Sequence, residues 1–171
     1  ILDLDNTIWK GTIGDDLIEQ INIDVSDPVG AVFRSAQNIF LELKSRGFLL
    51  AICSKNNEEL ALKVLFNDKT SLFKESDIVS YKINWEPKSQ NIKKICEELN
   101  ISLKETIFID DSDHECDEVL HNCEGISIFR VPKNIYQYPF QLATDNLFNL
   151  TSETKEDKNR TKMYKENIER K

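Results

Sequence analysis

The chain has 171 residues, 40% of them hydrophobic, with five Gly and four Pro, a composition that argues for one ordered core and against two independent domains. Its net charge of −8 disfavours nucleic acid as a partner, because phosphate backbones are held by clustered Lys and Arg. Residues 151–171 carry +2 and residues 1–150 therefore −10, so an anionic ligand must be neutralised by particular lysines or a metal ion, not by the bulk field.

Four cysteines, Cys53, Cys96, Cys116 and Cys123, form no CxxC pair and no small secreted framework, which points to reduced thiols and a cytoplasmic location. No signal peptide or run of 18 apolar residues is present, so no membrane segment is expected. The sequence opens inside an apolar run, and the expectation is a segment excised from a longer polypeptide.

Apolar runs alternate with helical periods along the chain. "ILDLD" reads as a first strand and "FLLAICS" as a second, nearly continuous in hydrophobicity as expected where helices cover both faces of a sheet. Between them the sequence predicts a helix with Asp27 as N-cap, Pro28 in the first turn, an apolar stripe of Val29, Val32, Phe33, Ala36, Phe40 and Leu43, and Gly47 as its stop. "DIVSY", "TIFID" and "ISIFRV" read as further strands, with helices over about 57–66, 88–99 and 113–122. This alternation implies right-handed crossovers and an α/β fold with a doubly wound, Rossmann-like parallel sheet. Residues 8–25 break the rhythm, and Gly11 and Gly14 suggest a small flap there. Only 33 residues separate Ser54 from Lys88, so neither gap has room for a large cap domain. The expected organisation is one domain over residues 1–150 and a charged helix or linker over 151–171, with Tyr164 and Ile168 four apart on one helical face.

In an open parallel sheet the ligand crevice lies beyond the carboxyl ends of the strands. Asp3 and Asp5 end the first strand, Ser54 the second, and Asp110 and Asp111 a later one, while Lys88 follows the loop "NWEPK". Phosphoryl transfer unites them, since it needs a nucleophile, a divalent cation on the phosphate oxygens and fixed donors for the developing charge. In that chemistry Asp3 attacks phosphorus to give an aspartyl phosphate. Asp5 protonates the leaving oxygen and then activates water. Asp3, the Asp5 carbonyl and Asp110 hold Mg2+. Ser54, Lys88 and Thr7 bind the phosphate. Asp111 either orients Lys88 or a metal-bound water, or caps the following helix.

"DLDNT", "SKNN", "EPK" and "FIDD" resemble the four ordered motifs of the haloacid dehalogenase superfamily. The resemblance implies the superfamily fold and, because Asp5 is retained, chemistry on phosphate: members that cleave carbon–halogen bonds lack an acid there, and the cation-pumping ATPases have Thr. "VGAVFRSAQNIFLELKSRGFLLAICSKNN", "INWEPKSQNIKKICEELNIS" and "EDKNRTKMY" are similar to the FkbH-like branch over most of the chain. That similarity implies removal of phosphate from a phosphorylated glycerate, such as bisphosphoglycerate, and transfer of the glyceryl group to the phosphopantetheine thiol of an acyl carrier protein in polyketide assembly. Two departures from the branch are Leu17, where Gly is expected in the flap, and "DDSDHE", which replaces an Asn-Pro pair after the diacid.

Cys53 is read two ways: an acyl relay activated near Lys55 or a cation, or a small buried hydrophobe ending the second strand. "HECDEVLHNC" invites a zinc site, but at 100° per residue Cys116 and Cys123 share one face with Val119 and Leu120 in a core stripe, while His114 and His121 share the opposite face. Trp9 and Trp85 either wall the crevice or pack. Lys158, Arg160, Lys162 and Lys165 either meet an acidic carrier protein or form a solvated helix face. A hydrolytic phosphatase and a non-catalytic docking module are the rival readings.

Overall fold

The structure, a computed structural model, describes residues 1–13, 21, 23–67, 69–149 and 159–170. Strands β1 (Leu50–Ser54) and β2 (Ile78–Ile83) pair in parallel, as do β3 (Ile107–Asp110) and β4 (Ser127–Arg130). The first residues of the chain join the two pairs. Leu2 bridges both Ile52 and Ile109 in parallel, Leu2 N donates to Ala51 O at 2.8 Å, and Asp3 N donates to Ile109 O at 3.0 Å. The resulting order is β2, β1, the N-terminal segment, β3, β4, with the acidic segment at the centre of the sheet.

Alternation along the strands divides the core in two. Leu2, Leu4, Ile52, Ile109 and Phe129 face α1 (Pro28–Ser45), α2 (Glu58–Leu65) and α5 (Tyr138–Thr144), where Phe33, Ala36, Phe40, Val64 and Leu142 meet them. Ala51, Cys53, Val79 and Phe108 face α3 (Lys88–Leu99) and α4 (Asp113–Asn122), against Ile92, Ile95, Cys96 and Val119. Burying each large side chain such as Phe40 contributes roughly 1.5–3 kcal/mol. α6 (Arg160–Glu169) lays Tyr164 and Ile168 on this second core, the pair the sequence places on one face.

The predicted signals of α1 are all present. The Asp27 side chain accepts from Gly30 N, Pro28 opens the helix, and Gly47 leaves it at φ 99°, a conformation costly to residues with a Cβ. α5 was not foreseen, and Leu120, placed in the core stripe by its period, is 47% exposed because α4 turns only Cys116, Val119 and Cys123 inward. Of the flap, residues 14–20 and 22 lie outside the described residues, as does the departure at Leu17. Among the described residues the strands are joined by helices and short turns with no large cap over the carboxyl edge, and no helix is long and apolar enough to cross a membrane.

Candidate active site

Three elements aim charge at one point above the centre of the sheet. Asp3 and Asp110 lie on neighbouring strand positions and the same face, so their carboxylates are adjacent. Lys88 enters from the first turn of α3, and its Nζ donates to Asp3 Oδ1 at 2.7 Å and to Asp110 Oδ2 at 2.6 Å. All three are buried, Lys88 at 4% exposure, Asp3 at 5% and Asp110 at 0%. Burial works to lower the Lys88 pKa, but Asp3 and Asp110 together outweigh it, and the ammonium is held charged well above the usual lysine range.

A cation in the first turn opposes the helix dipole, and Pro87 offers α3 no side-chain cap. Glu118 of α4 supplies what is missing. Its carboxylate accepts from Ser89 N at 3.1 Å and Ser89 Oγ at 2.5 Å, placing negative charge at that helix end and fixing the turn that carries Lys88.

Asp5 lies beyond the N-terminal segment's last sheet contact. Its Oδ1 accepts from Trp9 Nε1 at 3.0 Å and Ile13 N at 3.2 Å, and its Oδ2 accepts from Asn56 Nδ2 at 2.9 Å. Burial pushes its pKa up to about 6, against the opposing pull of the Trp9 and Ile13 donors. Asn6 follows with φ 53°, a left-handed turn that Asn tolerates, and its Oδ1 accepts from Gly11 N. The turn is anchored from beneath: Tyr138 Oη donates to Thr7 O at 2.9 Å, and Gln37 Nε2 donates to Ile8 O at 2.6 Å.

Asp3, Asp110 and Asp111 each offer an oxygen within 4.8 Å of the others. Burial first, and then the charge of Asp3, raises the pKa of both Asp110 and Asp111. Among the described residues, four carboxylates, counting Asp5, surround one buried ammonium here, and that surplus of hard oxygen ligands fits a small divalent cation. The Asp5 carboxyl is held by three donors along both edges, and its main-chain carbonyl is the group it offers an ion. Asp110 Oδ1 accepts from Ser112 N at 2.8 Å, and Ser112 caps α4 by accepting from Glu115 N, so the "DDSDHE" departure still starts the helix cleanly.

The structure thus brings Asp3, Lys88, Asp110 and Asp111 together. Thr7 Oγ1 points at Asp3 Oδ2 from 3.4 Å, and Ser54 ends β1 with a hydroxyl that has no hydrogen-bond partner among the described residues. Cys53 is placed differently. It is fully buried in the second core, its Sγ lies 3.7 Å from Lys88 O, and burial pushes its pKa up to about 12. Lys55, the cation expected to activate it, is paired with Glu115 at 2.7 Å. The geometry matches the packing alternative. His114 and His121 are exposed while Cys116 and Cys123 are buried, so the zinc pattern does not assemble. Trp9 is fully buried, whereas Trp85 stands 75% exposed in the loop before Lys88.

Residues 25–116 match the hydrolase family of haloacid dehalogenase-like hydrolases. The chain belongs to that family.

Among solved structures, this haloacid dehalogenase-like chain is similar to the N-terminal part of protein BF1531 from Bacteroides fragilis, described as containing a phosphatase domain complexed with Mg. The TM-score is 0.84 at 37% identity, over 88% of this chain and 40% of that one, so the chain spans about 40% of that relative's length. A haloacid dehalogenase family enzyme from Bacteroides thetaiotaomicron, solved with magnesium and inorganic phosphate, aligns at 22% identity over 58% of this chain and 53% of that one, with a TM-score of 0.47. No curated protein matches the chain.

Sequence reasoning missed Asn56, Glu118, Gln37 and Tyr138 in the haloacid dehalogenase-like site. Asn56 stood inside the quoted "SKNN" and could have been found there, as a polar residue at 3% exposure two positions past the strand end. Glu118 and Tyr138 act through contacts 29 and 131 residues away in sequence, and no local pattern announces them.

Proposed function

We propose that the chain is a magnesium-dependent phosphatase that works through an aspartyl phosphate on Asp3. The observation that carries this reading is the buried Lys88 ammonium bridging Asp3 and Asp110, with Asp111 beside them: one centre able to receive both a phosphate and a cation. Asp3 is the nucleophile. Lys88, with the hydroxyls of Ser54 and Thr7, binds the phosphate oxygens, and Asp5 serves as acid and then base. Mg2+, when held by Asp3, the Asp5 carbonyl and Asp110, neutralises phosphate charge that the carboxylates would otherwise repel. Asp111 steadies that site from one side. The magnesium in the related B. fragilis domain supports the choice of ion.

The test is phosphate release from simple phosphomonoesters with and without chelator. Release should require Mg2+, and Asp3→Asn should lower it by at least ~10³-fold, the scale on which loss of a catalytic nucleophile is felt. Release unchanged in Asp3→Asn would overturn the assignment.

A second reading, glyceryl transfer from a phosphorylated glycerate to the phosphopantetheine thiol of an acyl carrier protein, is supported by the FkbH-like sequence similarity. The carboxyl edge, with no large cap among the described residues, favours it too, since a tethered arm needs an open approach. Cys53 contributes little to this reading, because a buried thiol with its pKa at about 12 supplies almost no thiolate at neutral pH. Intact-mass analysis of a candidate carrier after incubation with bisphosphoglycerate and Mg2+ decides it: a glyceryl adduct on the carrier supports transfer, and phosphate release without an adduct leaves the hydrolytic reading alone.

A further inference from the structure

We propose that Trp9 and Asn56 are positioning residues that orient the Asp5 carboxyl so that its transferable proton is carried on Oδ2 and never on Oδ1. The inference rests on the phosphatase reading above and adds to it which oxygen acts and what selects it. Oδ1 accepts two N–H groups, from Trp9 Nε1 at 3.0 Å and Ile13 N at 3.2 Å. A carboxyl oxygen has two lone-pair sites, so Oδ1 has none left for a proton. Oδ2 accepts a single donor among the described residues, Asn56 Nδ2 at 2.9 Å, and keeps its second site. The orientation of that amide is not arbitrary. Its own Oδ1 accepts from Asn57 N at 2.9 Å, a group that can only donate, so the NH2 end must face Asp5.

Both partners are shielded from replacement by water, Trp9 at 0% and Asn56 at 3% exposure. They also come from different parts of the chain. Trp9 and Ile13 belong to the segment after the acidic pair, and Asn56 to the turn between β1 and α2. The carboxyl is therefore gripped along both edges, and a flip about its terminal torsion would break three hydrogen bonds at once.

The assignment makes the proton path definite. An Asp3 oxygen forms a bond to phosphorus while the bond from phosphorus to the leaving oxygen breaks. The electron pair goes to the leaving oxygen, which takes the proton from Asp5 Oδ2. Water oxygen then bonds to phosphorus as the bond to Asp3 breaks, the pair returns to the Asp3 carboxylate, and the proton released by water goes back to Asp5 Oδ2.

The experiment compares a series of phosphate monoesters, from alkyl phosphates to 2,4-dinitrophenyl phosphate, in the parent protein, Trp9→Phe and Asn56→Ala, all with Mg2+. An alkoxide needs the proton and a dinitrophenolate does not. Each variant should lose ~10–100-fold in kcat on alkyl esters, part of the 10²–10⁴ that general acid catalysis provides, and less than about threefold on the dinitrophenyl ester. The slope of rate against leaving-group pKa should steepen accordingly. An equal loss across the series in both variants, or full activity of both on alkyl esters, would overturn the proposal while leaving the phosphatase reading intact. No release from any ester by the parent protein would overturn both. Asn56→Ala keeps the test decisive if Trp9→Phe fails to fold.

Discussion

Lys88 is the residue on which the centre depends electrostatically, because the charge of Asp3 acts on Asp5, Asp110 and Asp111 alike and the buried Lys88 ammonium is the cation paired directly with Asp3 and Asp110. Replacing it with Met, similar in volume, leaves Asp3 and Asp110 buried with no counter-charge, and breaking such a pair costs about 3–5 kcal/mol. Chemical denaturation of Lys88→Met in chelator should show a loss on that scale, with part of it restored by Mg2+. Cys53 makes the opposite prediction. Its thiol has been raised to about 12, so at pH 8 the thiolate is scarce, and the residue has no exposed surface. Native protein should leave Cys53 unlabelled by iodoacetamide at pH 8, and denatured protein should label readily. Rapid native labelling would return Cys53 to the list of nucleophiles. Both residues were visible in the sequence as strand-end or helix-start positions, yet the structure gives them different surroundings. The difference is burial geometry: Cys53 lies beneath the backbone of Lys88, a contact between residues 35 apart that alternation along β1 cannot reveal.

At the scale of elements, boundaries that rest on local chemistry were the legible ones. Asp27, Pro28 and Gly47 delimit α1 through bonds and dihedrals set within a few residues, and the continuous apolar runs of β1 and β3 report burial on both faces. α5 escaped because "YPFQLAT" is one short turn-rich stretch whose inward residues, Tyr138 and Leu142, are four apart, while Phe140 stands 71% exposed between them. The N-terminus of α3 shows the same limit from the other side. Its start at Lys88 was read correctly, but its cap is Glu118 of another helix. Glu118→Ala should therefore lower stability by ~1 kcal/mol, as loss of a helix cap does, and depress phosphate release through a loosened Lys88. Glu124→Ala, at an exposed position just past α4 and without such a contact among the described residues, should change neither; thermal melts and release assays on both variants check this.

For the whole molecule, the acidic cluster at the carboxyl edge means that folding and cation binding are linked. Any ion that binds the folded form alone stabilises it, by roughly 2.7 kcal/mol at a hundredfold excess over its dissociation constant. Mg2+ should raise the melting temperature at pH 7.5. The raised pKa of Asp110 sets the sign of the pH effect: its carboxyl takes up protons as pH falls through about 6, protons then compete with the ion, and the Mg2+-induced shift should be smaller at pH 5. An equal shift at both pH values would place the ion elsewhere. The parallel sheet itself followed from the alternation of apolar runs and helices, but its order did not. Nothing in the spacing of "ILDLD" says that it lies between β1 and β3.

That central position has a consequence for how the protein is made. Ile1 pairs with Ile107, 106 residues further on, so the segment that carries Asp3 and Asp5 is synthesised well before β3 and cannot complete its ladder until β3 has emerged. At ~5–20 residues per second, that interval on the ribosome is roughly 5–20 s. Through it, an apolar ribbon tipped with two acids remains without one of its neighbours, and Asp3 meets Asp110 only once the two halves of the sheet have joined along this seam.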